Sequence, residues 1–297
     1  MRNICLALLF LLSPMLLHSQ EPLLRFGVFA DAQYDRDTTD NPLHRHYAKS
    51  RIWLAEAMDR FNGEDLAFVV SLGDLIDRSA GALEDILPTL HASQAPIYYV
   101  YGNHDYPKPY DKAVQRRIFK TLGQDDGYRC LHFGDVDIIL LNTNEIATYS
   151  SKPGSKAHER AEQLLQTAKD AHLPYARKYN GALSDKQLKW LDKQLDKAAR
   201  KGRKVLVMGH SPLLPLKQKA LTLNTLSVQD ILLSHEGTVI GYLAGHEHKG
   251  GVHSVGSIPC ITFLGMCEGA HNRYAIVSVY KGRLEITGFG DQPSLVF

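Results

Sequence analysis

The sequence predicts an α/β fold. Short apolar runs of strand length alternate with longer amphipathic stretches. Several of the runs are apolar at nearly every position, as expected of strands buried on both faces, and five of them stop at a polar cluster opened by Asp or Gly. The 297 residues are 44% hydrophobic and 22% charged, enough to bury a sizeable core, and no Pro-, Gly- or Ser-rich linker divides them. A single domain is expected. The net charge of +2 carries no bias towards nucleic acid or an anionic surface, so neither is expected as a partner.

Residues 1–20 stand apart. Met1-Arg2-Asn3 supplies a positive start, 4–17 are almost wholly apolar, and His18-Ser19-Gln20 turns polar. This reads as a secretory signal peptide cleaved near Ser19 or Gln20. The apolar run is shorter than the ~20 residues of a spanning helix, which weighs against retention as an anchor. The expectation is an exported protein, periplasmic or secreted, whose 21–297 form the domain, with no membrane attachment after cleavage.

The elements follow in order. Residues 24–30 read as a first strand ending at Asp31, and 47–61 have helical spacing. Residues 66–72 form an unbroken strand ending at Gly73-Asp74. A helix is expected over 82–91 and a strand over 96–101, ending at Gly102-Asn103. Residues 136–141 are a strand and 155–171 are helix-prone. Ser184 caps a clearer helix in which Leu188, Leu191, Leu195 and Ala198 share one face and Gly202 ends it. The basic residues at the end of that helix suit its dipole and read as solvated. Strands at 204–208 and 239–244 end at Gly209-His210 and Gly245-His246, and 258–289 read as β-hairpins. Cys130, Cys260 and Cys267 remain after signal cleavage. A Cys260–Cys267 bridge is one reading; buried free thiols are the preferred one.

The chemistry sits at the strand ends. In α/β sheets, ligands bind outside the carboxyl ends of the strands. Here those ends carry Asp31-Ala32-Gln33, Gly73-Asp74-Leu75-Ile76-Asp77-Arg78, Gly102-Asn103-His104-Asp105, Gly209-His210-Ser211-Pro212 and Gly245-His246-Glu247-His248. Carboxylate, amide oxygen and imidazole together suit Mn²⁺, Fe²⁺ or Zn²⁺. Each signature alone is weak, but all five in one chain are specific.

The set resembles the calcineurin-like metallophosphoesterase superfamily, whose pattern is D-x-H, GD-x-x-D, GNH-D/E, GH and GH-x-H. The resemblance implies a four-layer αββα sandwich of two mixed β-sheets, with a two-metal site between them. Carried over by position, one metal takes Asp31, Gln33, Asp74 and His248, and the other takes Asp74, Asn103, His210 and His246. Hydrolysis would proceed by attack of a metal-bridged hydroxide. His104 would protonate or steady the leaving oxygen with Asp105 holding its ring, while Asp77 orients the metal shell. Arg78 is weighed equally as a contact to substrate phosphate and as a surface ion pair.

Gln33 departs from the pattern, which has His there. Phe29-Ala30-Asp31-Ala32-Gln33-Tyr34 is similar to the start of the manganese-dependent ADP-ribose/CDP-alcohol diphosphatases. The stretches 179–184, 232–236 and 244–251 are similar to that branch as well. The branch implies two divalent ions, Mn²⁺ ahead of Fe²⁺ or Zn²⁺, and a nucleotide diphosphate substrate cleaved at its diphosphate linkage. A broad phosphomonoesterase or phosphodiesterase with the same site, and an inactive metal- or nucleotide-binding module, are the alternatives. A neutral amide is a weaker donor than imidazole, so the Gln33 site is expected to hold its metal loosely. Tyr34, Tyr106 and Tyr110 are weighed as base-stacking residues and left as ordinary half-buried tyrosines. His44 and His46 are left as loop residues, and Glu268, His271 and Asn272 are expected in a loop that borders the cleft.

Overall fold

The computed structural model describes residues 21–36, 45–124 and 127–297; the expected signal peptide and His44 lie outside the described residues. The chain runs β1 (Leu24–Phe29), α1 (Ser50–Asn62), β2 (Phe68–Ser71), α2 (Ala80–His91), β3 (Ile97–Tyr99), α3 (Lys112–Thr121), β4 (Arg129–Phe133), β5 (Val136–Leu140), α4 (Lys156–Asp170), α5 (Asp185–Arg200), β6 (Lys204–Met208), α6 (Thr225–Ser234), β7 (Val239–Ala244), β8 (Lys249–Val255), β9 (Ile258–Leu264), β10 (Arg273–Tyr280), β11 (Arg283–Gly290) and β12 (Leu295–Val296). The strands form two six-stranded sheets, ordered β12-β11-β10-β1-β2-β3 and β4-β5-β6-β7-β9-β8. Both are mixed: β1, β2 and β3 pair in parallel, as do β5, β6, β7 and β9, with antiparallel partners outside them.

The sheets pack face to face, and side-chain alternation explains the unbroken apolar runs. Phe26 and Val28 of β1 and Phe68 and Val70 of β2 meet Ile138, Leu140, Leu206 and Met208 from the other sheet in one buried cluster. Phe26 and Phe68 stack with centroids 4.7 Å apart. The intervening residues point outward. Val69 joins Leu54, Met58, Leu83 and Ile118 under α1, α2 and α3. Ile139, Val205 and Val207 join Leu191, Leu195, Val228 and Leu232 under α5 and α6. Each of these central strands therefore feeds two cores, giving the layer order α/β/β/α, and each buried Val, Leu or Phe contributes about 1.5–3 kcal/mol.

The expected cap is present: Ser184 accepts from the amide of Gln187, and Ser155 likewise caps α4 by accepting from that of His158. Five elements escaped the sequence reading: α3, α6, β4, β8 and β12. The C-terminal hairpins need correction. β10 and β11 form one within the first sheet, but β9 pairs in parallel with β7 and antiparallel with β8, so the tail is shared between the sheets. Cys130, Cys260 and Cys267 are free thiols, so Cys260 and Cys267 are not bridged. No helix among the described residues is long and apolar enough to cross a membrane.

Candidate metal centre

The parallel strands of the two sheets end on one side of the molecule, and their turns are tight. Asp31 (φ 54°), Gln33 (φ 42°), Asp74 (φ 52°), Arg78 (φ 66°) and His246 (φ 67°) all adopt the left-handed region. Such residues cost of order 1–3 kcal/mol each and persist where the surroundings over-determine them. Here they do so through backbone bonds between turns. Asp31 N donates to Gly73 O, Gln33 N to Asp74 O and Arg78 N to His104 O. Gly102 is required by space: a Cβ there would lie 2.0 Å from Asp74 Oδ1.

Two groups of ligand atoms result. Asp74, His210 and His246 form one and Asp31, Asp74 and His248 the other, each with its atoms within 4.8 Å, and Asp74 belongs to both. His210 Nε2 lies 3.4 Å from Asp74 Oδ2, and His248 Nε2 lies 3.4 Å from Asp31 Oδ1. Asn103 lies beside them, 2% exposed, and its buried Oδ1 has no hydrogen-bond partner.

The hydrogen bonds around the histidines fix where their lone pairs point. His210 Nδ1 faces the carbonyl of Leu72 at 2.8 Å. A carbonyl only accepts, so Nδ1 carries the hydrogen and Nε2 is left bare. Asn180 donates its amide nitrogen to the carbonyls of Tyr175 and Lys219, so its Oδ1 faces His246 Nε2 at 3.0 Å. That nitrogen therefore bears the hydrogen, and His246 Nδ1 is bare. The two bare nitrogens face each other at 3.1 Å. His248 repeats the pattern, donating from Nδ1 to Glu268 Oε1 at 2.7 Å and leaving Nε2 against Asp31. Bare imidazole nitrogens that face one another and carboxylate oxygens with no hydrogen between them repel unless a positive charge lies among them. A proton can serve. Burial opposes a charged ring at His210, but Asp74 outweighs it and lifts the ring to about 9. Burial also pushes Asp74 upward, and His210 and His104 overcome it, holding that carboxyl well below its usual range. A divalent cation fits the same donors, and hydrogen-bond partners that fix ring tautomers are characteristic of metal-binding histidines.

The expected residues are thus brought together, with three corrections. Asp105 does not hold the His104 ring. It is buried and accepts the backbone amides of Asp74, Leu75, Ile76 and Gly102, while burial and then the charge of Asp74 push its carboxyl up to about 7. The ring partner is Asp77, whose Oδ1 lies 2.5 Å from His104 Nδ1, so Asp77 holds this ring. Gln33 reaches the group of Asp31, Asp74 and His248 but turns its Nε2 to Asp74 Oδ2 at 3.1 Å, while its Oε1 accepts from the Cys267 thiol. Ligation through the amide oxygen needs that amide turned over.

A cleft of about 890 Å³ opens over the two groups. Arg45, Arg78, Lys108, Lys178 and Lys249 line it with Tyr110, Tyr149 and Tyr179, beside Glu247 and Glu268. Arg78 thus reaches the cleft, 3.5 Å from Asp77 Oδ1. Tyr34 and Tyr106 are buried away from it. Glu268 borders it as expected, but His271 pairs with Asp291, and Asn272 donates to the carbonyl of Trp53. Sequence reasoning missed Asn180, Tyr149, Lys108 and Lys178. Only Asn180 carried a signal, as part of the branch-like stretch 179–184.

The profile of the calcineurin-like phosphoesterase family matches residues 24–250. The chain belongs to the calcineurin-like phosphoesterase family. As a calcineurin-like phosphoesterase it is a metal-dependent hydrolase of phosphoric esters or anhydrides. It is 27% identical to the manganese-dependent ADP-ribose/CDP-alcohol diphosphatase of Danio rerio, over 91% of this chain and 97% of that protein. It is also 27% identical to the enzyme of that name from Arabidopsis thaliana, over 91% and 95%. The crystal structure of a dimetal phosphatase from Danio rerio superposes with a TM-score of 0.81 at 26% identity, covering 93% of this chain and 99% of that one.

Proposed function

We propose that the protein is an exported two-metal phosphohydrolase, with Mn²⁺ as its metal, that cleaves the diphosphate linkage of nucleotide diphosphate compounds such as ADP-ribose and CDP-alcohols. One observation carries the metal reading: bare imidazole nitrogens meet carboxylate oxygens in two groups that share Asp74. The substrate reading is supported by near full-length similarity to diphosphatases and by a cleft whose walls mix cations with aromatic rings.

Asp31, Gln33, Asp74 and His248 would hold one ion, and Asp74, Asn103, His210 and His246 the other. Divalent ions held there supply the charge that offsets a phosphoryl transition state and lower the pKa of water towards neutrality. The protein's own groups do the rest. Arg78, with its fixed fork of donors, faces the diphosphate oxygens. The tyrosine walls offer flat apolar surface to a base. His104, held through Nδ1 by Asp77, turns Nε2 to the leaving oxygen and steadies or protonates it there.

The test is turnover of ADP-ribose, CDP-choline and p-nitrophenyl phosphate with Mn²⁺, beside Asp74→Ala. Fast diphosphate cleavage, a slow monoester and an inactive variant support the reading. Turnover of the monoester alone removes the diphosphate assignment and leaves the metal site. Export is read separately, from the N-terminus of the mature protein: a start near Glu21 supports it, and an intact Met1 overturns it.

A further inference from the structure

We infer that Glu268 is a positioning residue that ties a metal ligand, His248, to a cation of the substrate cleft, Arg45. This rests on the metal reading above for His248 and on the diphosphate reading for Arg45. One oxygen, Glu268 Oε1, accepts from His248 Nδ1 at 2.7 Å and from Arg45 Nε at 2.9 Å. The two donors have different second contacts: His248 faces Asp31 within the metal group, and Arg45 lines the cleft.

The backbone reinforces the link. Arg45 and Glu268 form an isolated antiparallel bridge, and His46 N donates to Cys267 O at 2.6 Å. Met266 N and Cys267 N donate to the carbonyls of Ala30 and Asp31. The loop 265–268 is therefore laced to the turn that carries Asp31 and to the segment that carries Arg45. It also packs on the His248 ring so closely that a Cβ at Gly265 would lie 2.6 Å from His248 Cγ.

Two consequences follow. A carboxylate on Nδ1–H raises the basicity of Nε2, which strengthens His248 as a ligand. That strengthening falls on the group that contains Gln33, whose amide is the weakest donor present, so Glu268 offsets the departure at position 33. Because Arg45 shares the same oxygen, its head is held at a set distance from the metal group, as bidentate binding of a diphosphate requires.

The experiment compares wild type, Glu268→Gln, Glu268→Asp, Arg45→Ala and the double variants of Arg45→Ala with each Glu268 change, all in the full-length chain. Mn²⁺ binding is measured by calorimetry without substrate, and KM and kcat with ADP-ribose. Glu268→Gln keeps the side chain's size and removes its charge. It is expected to weaken one class of Mn²⁺ site about tenfold or more while the other is unchanged. KM should rise more than kcat falls, and Glu268→Asp should recover part of both. Arg45→Ala should raise KM and leave Mn²⁺ affinity within about twofold, and the two KM effects should be non-additive in the double variant. Unchanged Mn²⁺ affinity in Glu268→Gln overturns the tie to His248, and additive KM effects overturn the tie to Arg45. If wild type fails to cleave ADP-ribose, the substrate assignment falls, and the calorimetry still decides the role of Glu268. If Glu268→Gln fails to fold, Glu268→Asp and Arg45→Ala carry the two readouts, with the same overturning results.

Discussion

Asp77 Oδ1 lies 2.5 Å from His104 Nδ1, which fixes the ring so that only Nε2 can face the cleft. If His104 protonates the leaving oxygen, its removal should matter in proportion to the basicity of that oxygen. His104→Ala is expected to lower kcat by about 10²–10⁴ on an alkyl phosphate ester, whose alkoxide must leave with a proton, and to cost far less with a p-nitrophenyl or phosphate leaving group, which departs without one. Asp77→Asn should show the same pattern at smaller size. Steady-state kinetics on the two substrate types check it. Equal losses on both would move His104 to a binding role.

Asp105 should behave as a folding residue. Its two oxygens accept four backbone amides from the turns that carry Asp74 and Asn103. Asp105→Ala strands those buried donors, and a loss of about 3–5 kcal/mol in urea unfolding is expected, measured in chelator so that metal does not contribute. A variant with wild-type stability would remove this assignment.

Asn180 sets the tautomer of His246 through Oδ1, with both hydrogens of its amide nitrogen used elsewhere. Asn180→Ala should leave His246 free to carry its hydrogen on either nitrogen and weaken Mn²⁺ binding roughly 10–100-fold. Calorimetry reads this without substrate. A wild-type affinity would mean that the ring is held by packing alone.

Metal should stabilise the folded chain. A ligand at about 100 times its Kd adds roughly 2.7 kcal/mol per site. Mn²⁺ is therefore expected to raise Tm by several degrees and chelator to reverse the shift. Asp74→Ala, which removes the oxygen donor common to both groups, should abolish the response.

Gly102→Ala tests the closeness of the turns. The added methyl meets the Asp74 carboxylate, not a flexible chain end. Activity should be lost together with the Mn²⁺-dependent rise in Tm. A variant that keeps both would show that the turn can open without cost.

The strand ends were legible because each combines an apolar run with a glycine or aspartate stop, and both signals are local. So was the Ser184 cap of α5. The sheet partition was not. Nothing near 258–289 says that β9 joins β7 while β10 joins β1, since that choice is made by packing across the whole chain. α3 escaped because it buries only Ile118 among its ten residues, and β4 because it has no buried face. The exchange of roles between Asp77 and Asp105 has a similar origin. Both are near His104 in the chain or the motif, and only the three-dimensional course of the turns decides which carboxylate meets the ring. The cleft residues Tyr149, Lys108 and Lys178 lie on loops, where side-chain direction leaves no periodic trace.

The two ligand groups also cross the seam between the sheets. Asp31 and Asp74 follow β1 and β2, whereas His210, His246 and His248 follow β6 and β7. Each group takes donors from both halves, so a cation at either one acts as a rivet through the sandwich. Chelation should then loosen the joint between the sheets before it disturbs either sheet, and hydrogen exchange along β2 and β6 would register the slip.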